Sequence, residues 1–128
     1  MQPLRYGRAW LFAGAVLLVF GLLSALSPVQ SLVPVSMNDK VLHALGFMFF
    51  MLWFGGVFQL RCAPFLVGGL AFYGILIEVL QSFTPTRQAE FLDLVADLAG
   101  ILLGWALSAA GFSRWCATLE SWLVPQKP

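Results

Sequence analysis

Apolar residues dominate four long stretches of the chain, residues 9–26, 41–60, 63–82 and 91–112, and polar residues fall between these stretches or in a narrow band at their ends. Each stretch is close to the about 20 residues that carry an α-helix across roughly 30 Å of hydrocarbon. The pattern predicts an all-α, polytopic membrane protein: one domain over residues 1–128, built as a bundle of four transmembrane helices. Breakers mark the connections. Ser27-Pro28 and Pro34 end the first helix, Asn38 or Asp39 can cap the second, and Thr84-Pro85 stops the third. Arg61-Cys62-Ala63-Pro64 reads as a tight turn with proline in the first turn of the third helix. The short connections make the last three spans antiparallel neighbours. Residues 113–124 are too few to cross. Trp115, Cys116, Leu119, Trp122 and Leu123 fall on one face there, which predicts an amphipathic helix lying in the interface and anchored by its tryptophans.

The ionisable residues are few, 10% of the chain, and they are not scattered. Asp39, Lys40 and His43 open the second span, Glu78 and Gln81 close the third, Arg87 lies in the connection, and Glu90, Asp93 and Asp97 open the fourth. An up-and-down bundle brings all of these to one end. Each span also carries a stripe of small or polar residues at helical spacing. Asp93, Asp97, Gly100, Gly104, Ser108 and Gly111 form one, Ala71, Gly74, Glu78 and Gln81 a second, and Asp39, His43, Gly46 and Phe50 a third. A carboxyl exposed to acyl chains is costly, so these stripes are expected to face one another. Gly74, Gly100 and Gly104 then serve close helix packing. Asp39, Lys40, His43, Glu78, Gln81, Arg87, Asp93 and Asp97 form the expected ligand-binding set. The first span, with no ionisable residue inside residues 9–26, is expected to close or support the bundle.

Charge and cysteine content narrow the picture. A net charge of +1 without a basic patch excludes a nucleic-acid partner. Cys62 and Cys116 make neither a disulfide framework nor a metal motif and read as apolar fillers. The first stretch is read as an uncleaved span rather than a signal peptide, because Pro28 would follow the best cleavage site at Ala25-Leu26-Ser27. With the amino terminus inside, Arg5, Arg8, Arg61, Arg114 and Lys127 are cytoplasmic and Lys40 and Arg87 are not. The positive-inside rule therefore predicts both termini in the cytoplasm and the polar site on the opposite, outer side.

Several chemistries suit such a site. Lys40, His43, Arg87 and the amino termini of two helices can bind an anionic headgroup. His43, Glu78, Asp93 and Asp97 are candidate ligands for a divalent metal, the one cofactor the sequence suggests. His43 can act as a general base on a lipid headgroup, with Glu78 and Asp93 as the other catalytic candidates. Glu78, the deepest carboxyl, is the best place for a shared proton. No GxSxG, P-loop or GxGxxG motif is present. A purely structural reading, in which the polar groups tie helices together at about 1 kcal/mol or less each, needs only Ser, Thr or Asn and does not explain so many charges. A subunit that docks a membrane-protein partner or a second copy through its small-residue stripe is a further reading.

The order Asp39-Lys40-Val41-Leu42-His43-Ala44-Leu45-Gly46-Phe47, then Gly74, Glu78 and Gln81, then Arg87, Asp93, Asp97, Gly100 and Gly104 resembles the VanZ-like family, over roughly residues 38–104. The family pattern is DKxxHxxxF, then ExxQ, then R, D and usually N, then GxxxG. Asp97 departs from it, standing where asparagine is more usual. The resemblance implies a small multi-pass protein of the bacterial cytoplasmic membrane, connected with the cell envelope and with resistance to teicoplanin. It also implies binding of a membrane lipid or lipid-linked, amphiphilic envelope intermediate at the outer-side site.

Overall fold

The computed structural model describes residues 1–27, 39–85 and 89–123, and the fold is all-α. The helices are α1 (Gly7–Leu26), α2 (Asp39–Val57), α3 (Ala63–Ser82), α4 (Phe91–Ala109) and a short α5 (Trp115–Leu123). Helices α1, α2, α3 and α4 are each long and apolar enough to cross a membrane, and the chain is a multi-pass membrane protein.

Two spans end earlier than the hydropathy pattern predicts, for local reasons. α2 stops at Val57, because Gln59 turns extended (φ −69°, ψ 148°) and Leu60–Cys62 forms a 3₁₀ turn leading into α3. α4 stops at Ala109 rather than near residue 112. Gly111 follows with φ +122°, a backbone conformation that residues with a side chain rarely adopt, and the chain reverses through Phe112–Arg114 into α5.

The bundle is organised around α2, which packs most extensively against α4. Phe47, Phe50 and Met51 of α2, Leu70 and Ile77 of α3 and Ile101 of α4 are buried in its centre. In hydrocarbon there is little hydrophobic drive between helices, so close approach and hydrogen bonds must hold them. Gly100 lies against the backbone carbonyl of Ala44, and a Cβ on Gly104 would fall 2.8 Å from the carbonyl oxygen of Met48. The small-residue stripe of α4 is therefore filled by α2 of the same chain.

α1 is the peripheral span, with only its glycines Gly7 and Gly14 buried. Hydrogen bonds from other helices dock it along its length. Trp53 Nε1–H donates to the carbonyl of Trp10 (3.2 Å), the Tyr73 hydroxyl to that of Leu18 (2.6 Å), and the Gln81 amide to that of Ala25 (3.0 Å).

The end that carries the amino terminus is held by the tail. Trp115 donates its indole N–H to the carbonyl of Leu52 at 3.0 Å and packs edge-on against Trp10. The Gln2 amide donates to the carbonyls of Gly55 (3.1 Å), Phe58 (3.2 Å) and Ser113 (2.6 Å). Cys116 is fully buried, and burial pushes its thiol up to about 12, as suits an inert filler. Trp122 and Leu123, by contrast, are exposed and free to meet the interface.

Glu120 is the sixth acid of the chain and the one the hydropathy pattern leaves without a role. Its carboxylate accepts the backbone N–H of Arg5 (2.7 Å) and Tyr6 (2.9 Å) and the indole N–H of Trp10 (2.9 Å). It thereby clamps α5 to the entry of α1, where the free N–H groups of a helix start need acceptors. What burial there is raises the carboxyl, but the Tyr6, Arg5 and Trp10 donors outweigh it and hold the group below its ordinary value. A depressed folded value means that the clamp stabilises the fold above the unfolded value of about 4.3 and is lost as pH falls through the folded value. Acidification below about pH 4 is expected to loosen α5 and alter tryptophan emission. Glu120→Gln is expected to show the loosened emission already at pH 7. An unchanged emission in that variant would show that the clamp contributes nothing.

Candidate functional site

The starts of α2 and α4 and the end of α3 meet at the end of the bundle opposite the tail. Asp39 and Asp93 occupy the first turns of α2 and α4, where the helix dipole favours negative charge. That accounts for two acids. It does not account for Asp97 or Glu78, which lie further in and are 2% and 6% exposed.

Helical spacing puts Asp39 and His43 on one face of α2, and Asp93 and Asp97 on the facing side of α4. His43 Nδ1 lies 2.8 Å from Asp97 Oδ1, with both side chains buried. A carboxylate can only accept, so Nδ1 carries a proton, and in the neutral imidazole Nε2 keeps its lone pair. Nε2 points toward Asp93, whose Oδ2 is 3.9 Å away, too far for a hydrogen bond. Gly74 of α3 makes room for this pair, since a Cβ there would lie 2.7 Å from Asp97 Oδ2. The glycine expected for helix packing thus borders the site itself.

Lys40 closes the site at its solvent-accessible rim. Its ammonium is 2.6 Å from Glu90 Oε2 and 3.4 Å from Asp93 Oδ1. The hydrogen bond and charge of Lys40 hold the exposed Glu90 carboxyl below its ordinary value. Glu78 reaches over from α3 and accepts the backbone N–H of Glu90 at 2.9 Å. Glu90 is the N-cap of α4 and makes no capping bond with its own side chain. Glu78 therefore does from another helix what the third residue of a capping box does within one.

The structure brings Lys40, His43, Glu78, Asp93 and Asp97 together as expected, and Asp39 with them. Gln81 is also buried, but its amide is spent on α1. Arg87 lies outside the described residues. Among the described residues, Glu78 Oε1, Gln81 Oε1 and Asp97 Oδ2 are buried without a hydrogen-bond partner, and Asp93 Oδ1 has only the Lys40 ammonium at 3.4 Å. Each unpaired buried polar atom is costly, so these oxygens are acceptors suited to a bound donor.

An open-sided apolar cleft of about 180 Å³ leads up to His43 between α1, α2 and α3. Phe20, Gly21, Phe50, Tyr73 and Ile77 line its depth, and Leu42 and His43 its upper end. A second apolar groove of about 330 Å³, lined by Ala71, Ile75, Val95 and Leu98, reaches Asp97 between α3 and α4. The His43–Asp97 pair thus lies between two apolar depressions.

No protein-family model matches the chain, and no solved structure matches it. An uncharacterized protein of the fission yeast Schizosaccharomyces pombe is similar to it, 36% identical over an alignment of 99 positions that covers 73% of this chain. The chain spans 60% of the length of that curated relative.

The residue that the hydropathy pattern passes over is Tyr73. Tyr73 lines the cleft and anchors α1, and a tyrosine in the middle of an apolar span is itself a signal for a polar partner. Gly46 lines the same cleft with nothing within 4 Å of where a Cβ would stand. The sequence offers no way to tell this open glycine from the tightly packed Gly100.

Proposed function

We propose that the protein binds an amphiphilic, lipid-type molecule, with an apolar chain in the cleft between α1, α2 and α3 and its polar group at His43. The observation that carries this reading is the cleft itself: apolar through its depth, open at the side, and ending on an imidazole held in place by a buried carboxylate. Ligand sites of this kind combine an apolar wall with a few convergent polar groups. The headgroup reading shifts from the one that the sequence suggests. Lys40 is already engaged by Glu90 and Asp93, so an anion finds little free positive charge among the described residues. Carboxylate oxygens that accept from hydroxyl or amine groups are the more abundant feature.

The cationic excess at the terminus-bearing end, from Arg5, Arg8, Arg61 and Arg114, supports a cytoplasmic location for both termini and an outward-facing site. On this proposal the VanZ-like residue pattern marks the same site. Its association with a bacterial envelope and with teicoplanin draws no support from a relative found in a yeast. A lipid-type ligand is the chemistry common to both settings. A second reading, an enzyme that uses Nε2 of His43 as general base on that headgroup, is favoured by the Asp97–His43 hydrogen bond, which fixes the required tautomer.

Gly46 provides the test. A phenylalanine there fills the cleft without meeting another atom at Cβ. Native mass spectrometry of protein extracted in a mild detergent is expected to show a retained lipid in the wild type. Gly46→Phe is expected to lower its occupancy at least tenfold with the helical signal unchanged. Equal occupancy in the two proteins would overturn the proposal.

A further inference from the structure

We propose that Asp39, His43 Nε2 and Asp93 bind one divalent transition-metal cation, with Asp97 orienting the imidazole from behind. The ligand atoms of Asp39, His43 and Asp93 all lie within 4.8 Å of one another. Two ligands at about 2.1 Å from a common ion stand roughly 3.0–4.2 Å apart, so the 3.9 Å between Nε2 and Asp93 Oδ2 already fits and Asp39 needs only a small adjustment. The second observation is the imidazole. His43 is 8% exposed in its side chain, gives its Nδ1–H to Asp97 at 2.8 Å, and aims an Nε2 with no hydrogen bond toward Asp93. A histidine that ligates a metal commonly donates its other N–H to a carboxylate in this way.

Charge supports the same assignment. Asp93 and Asp97, both buried, set two carboxyls against the single imidazole, while Lys40 is shared with the exposed Glu90. A bound dication offsets the excess where water is scarce. One nitrogen with carboxylate oxygens suits manganese or zinc better than calcium or magnesium. The assignment also separates roles that the sequence leaves merged. Asp39 is a ligand, whereas Asp97 is a positioning residue, and Glu78 is committed to the start of α4. The cation site does not depend on the amphiphile reading, because a metal can bind with the cleft empty.

Titration of metal-stripped, untagged protein in detergent with Mn²⁺ alone, followed by electron paramagnetic resonance, tests it. The wild type is expected to remove one equivalent of free Mn²⁺ signal and to show nitrogen coupling from a single imidazole. His43 is the one histidine of the chain, so that coupling has one source. Asp93→Asn is expected to weaken binding at least 100-fold, Asp97→Asn roughly 10- to 100-fold, and Glu78→Gln less than about threefold. Should Asp93→Asn fail to fold, the nitrogen coupling in the wild type decides alone. Bound Mn²⁺ without that coupling, or no stoichiometric binding, overturns the cation site and leaves lipid retention in the Gly46 experiment unaffected.

Discussion

Replacing Gly100 by leucine is expected to prevent the bundle from forming. Gly100 lies against the backbone carbonyl of Ala44, where even a single methyl group has no room. Backbone cannot rotate away as the end of a flexible side chain can, so α2 and α4 must separate. Overpacking a dense interior costs about 1–3 kcal/mol when side chains can yield, and here they are not the obstacle. Gly100→Leu is therefore expected to lower stability by more than about 3 kcal/mol, read as loss of the folded fraction in a detergent-denaturation series. Gly104→Ala is expected to follow with a smaller loss, because its methyl would meet both Met48 O and Met51 Cβ at 2.8 Å. Gly68→Ala, with nothing within 4 Å, serves as the control and is expected to be neutral. A stable, well-folded Gly100→Leu protein would mean that α2 and α4 do not cross where the structure places them. The comparison also bears on assembly. A partner helix cannot use the Gly100–Gly104 stripe, so association with another chain must employ a different face.

Asp97→Ala has the next largest expected effect, and it falls on the site. It removes the acceptor of the His43 Nδ1–H, which is buried and has 2.8 Å to its partner. A buried donor left unpaired costs about 1–3 kcal/mol, and the imidazole loses the contact that sets its tautomer. Asp97→Asn keeps an acceptor oxygen and is expected to cost less than about 1 kcal/mol while removing the charge. Gly74→Ala approaches the same defect from α3, since its methyl would lie 2.7 Å from Asp97 Oδ2. The single histidine makes nitrogen NMR of labelled protein an unambiguous readout. The wild type is expected to carry its proton on Nδ1, and Asp97→Ala and Gly74→Ala are expected to lose that preference. A wild-type imidazole protonated on Nε2 with a bare Nδ1 would contradict the arrangement.

Much of the site was legible before any coordinates. Asp39 and His43, Asp93 and Asp97, and Gly74 and Glu78 are each four residues apart, and that spacing puts each pair on one helical face. The cost of a charge in hydrocarbon then obliges those faces to look inward. Spacing could not say which partner each carboxyl takes. Asp97 reads as an equal of Asp93, yet it turns to the far side of the imidazole. Glu78 reads as a proton carrier, yet one of its oxygens caps the start of α4. Glu120 has no visible role along the chain, because the N–H groups it accepts are more than a hundred residues away.

By itself the sequence determined that the chain crosses a membrane in helices and that five of its six acids share one end. Both follow from the penalty for unpaired polar groups in lipid, which acts on each segment separately and so is written in local order. The tertiary structure alone decided where α1 docks, which glycines are filled and which open, and where the cleft runs. Those depend on contacts between segments distant in the chain, and one glycine in an apolar run looks like another until a neighbouring helix arrives or fails to.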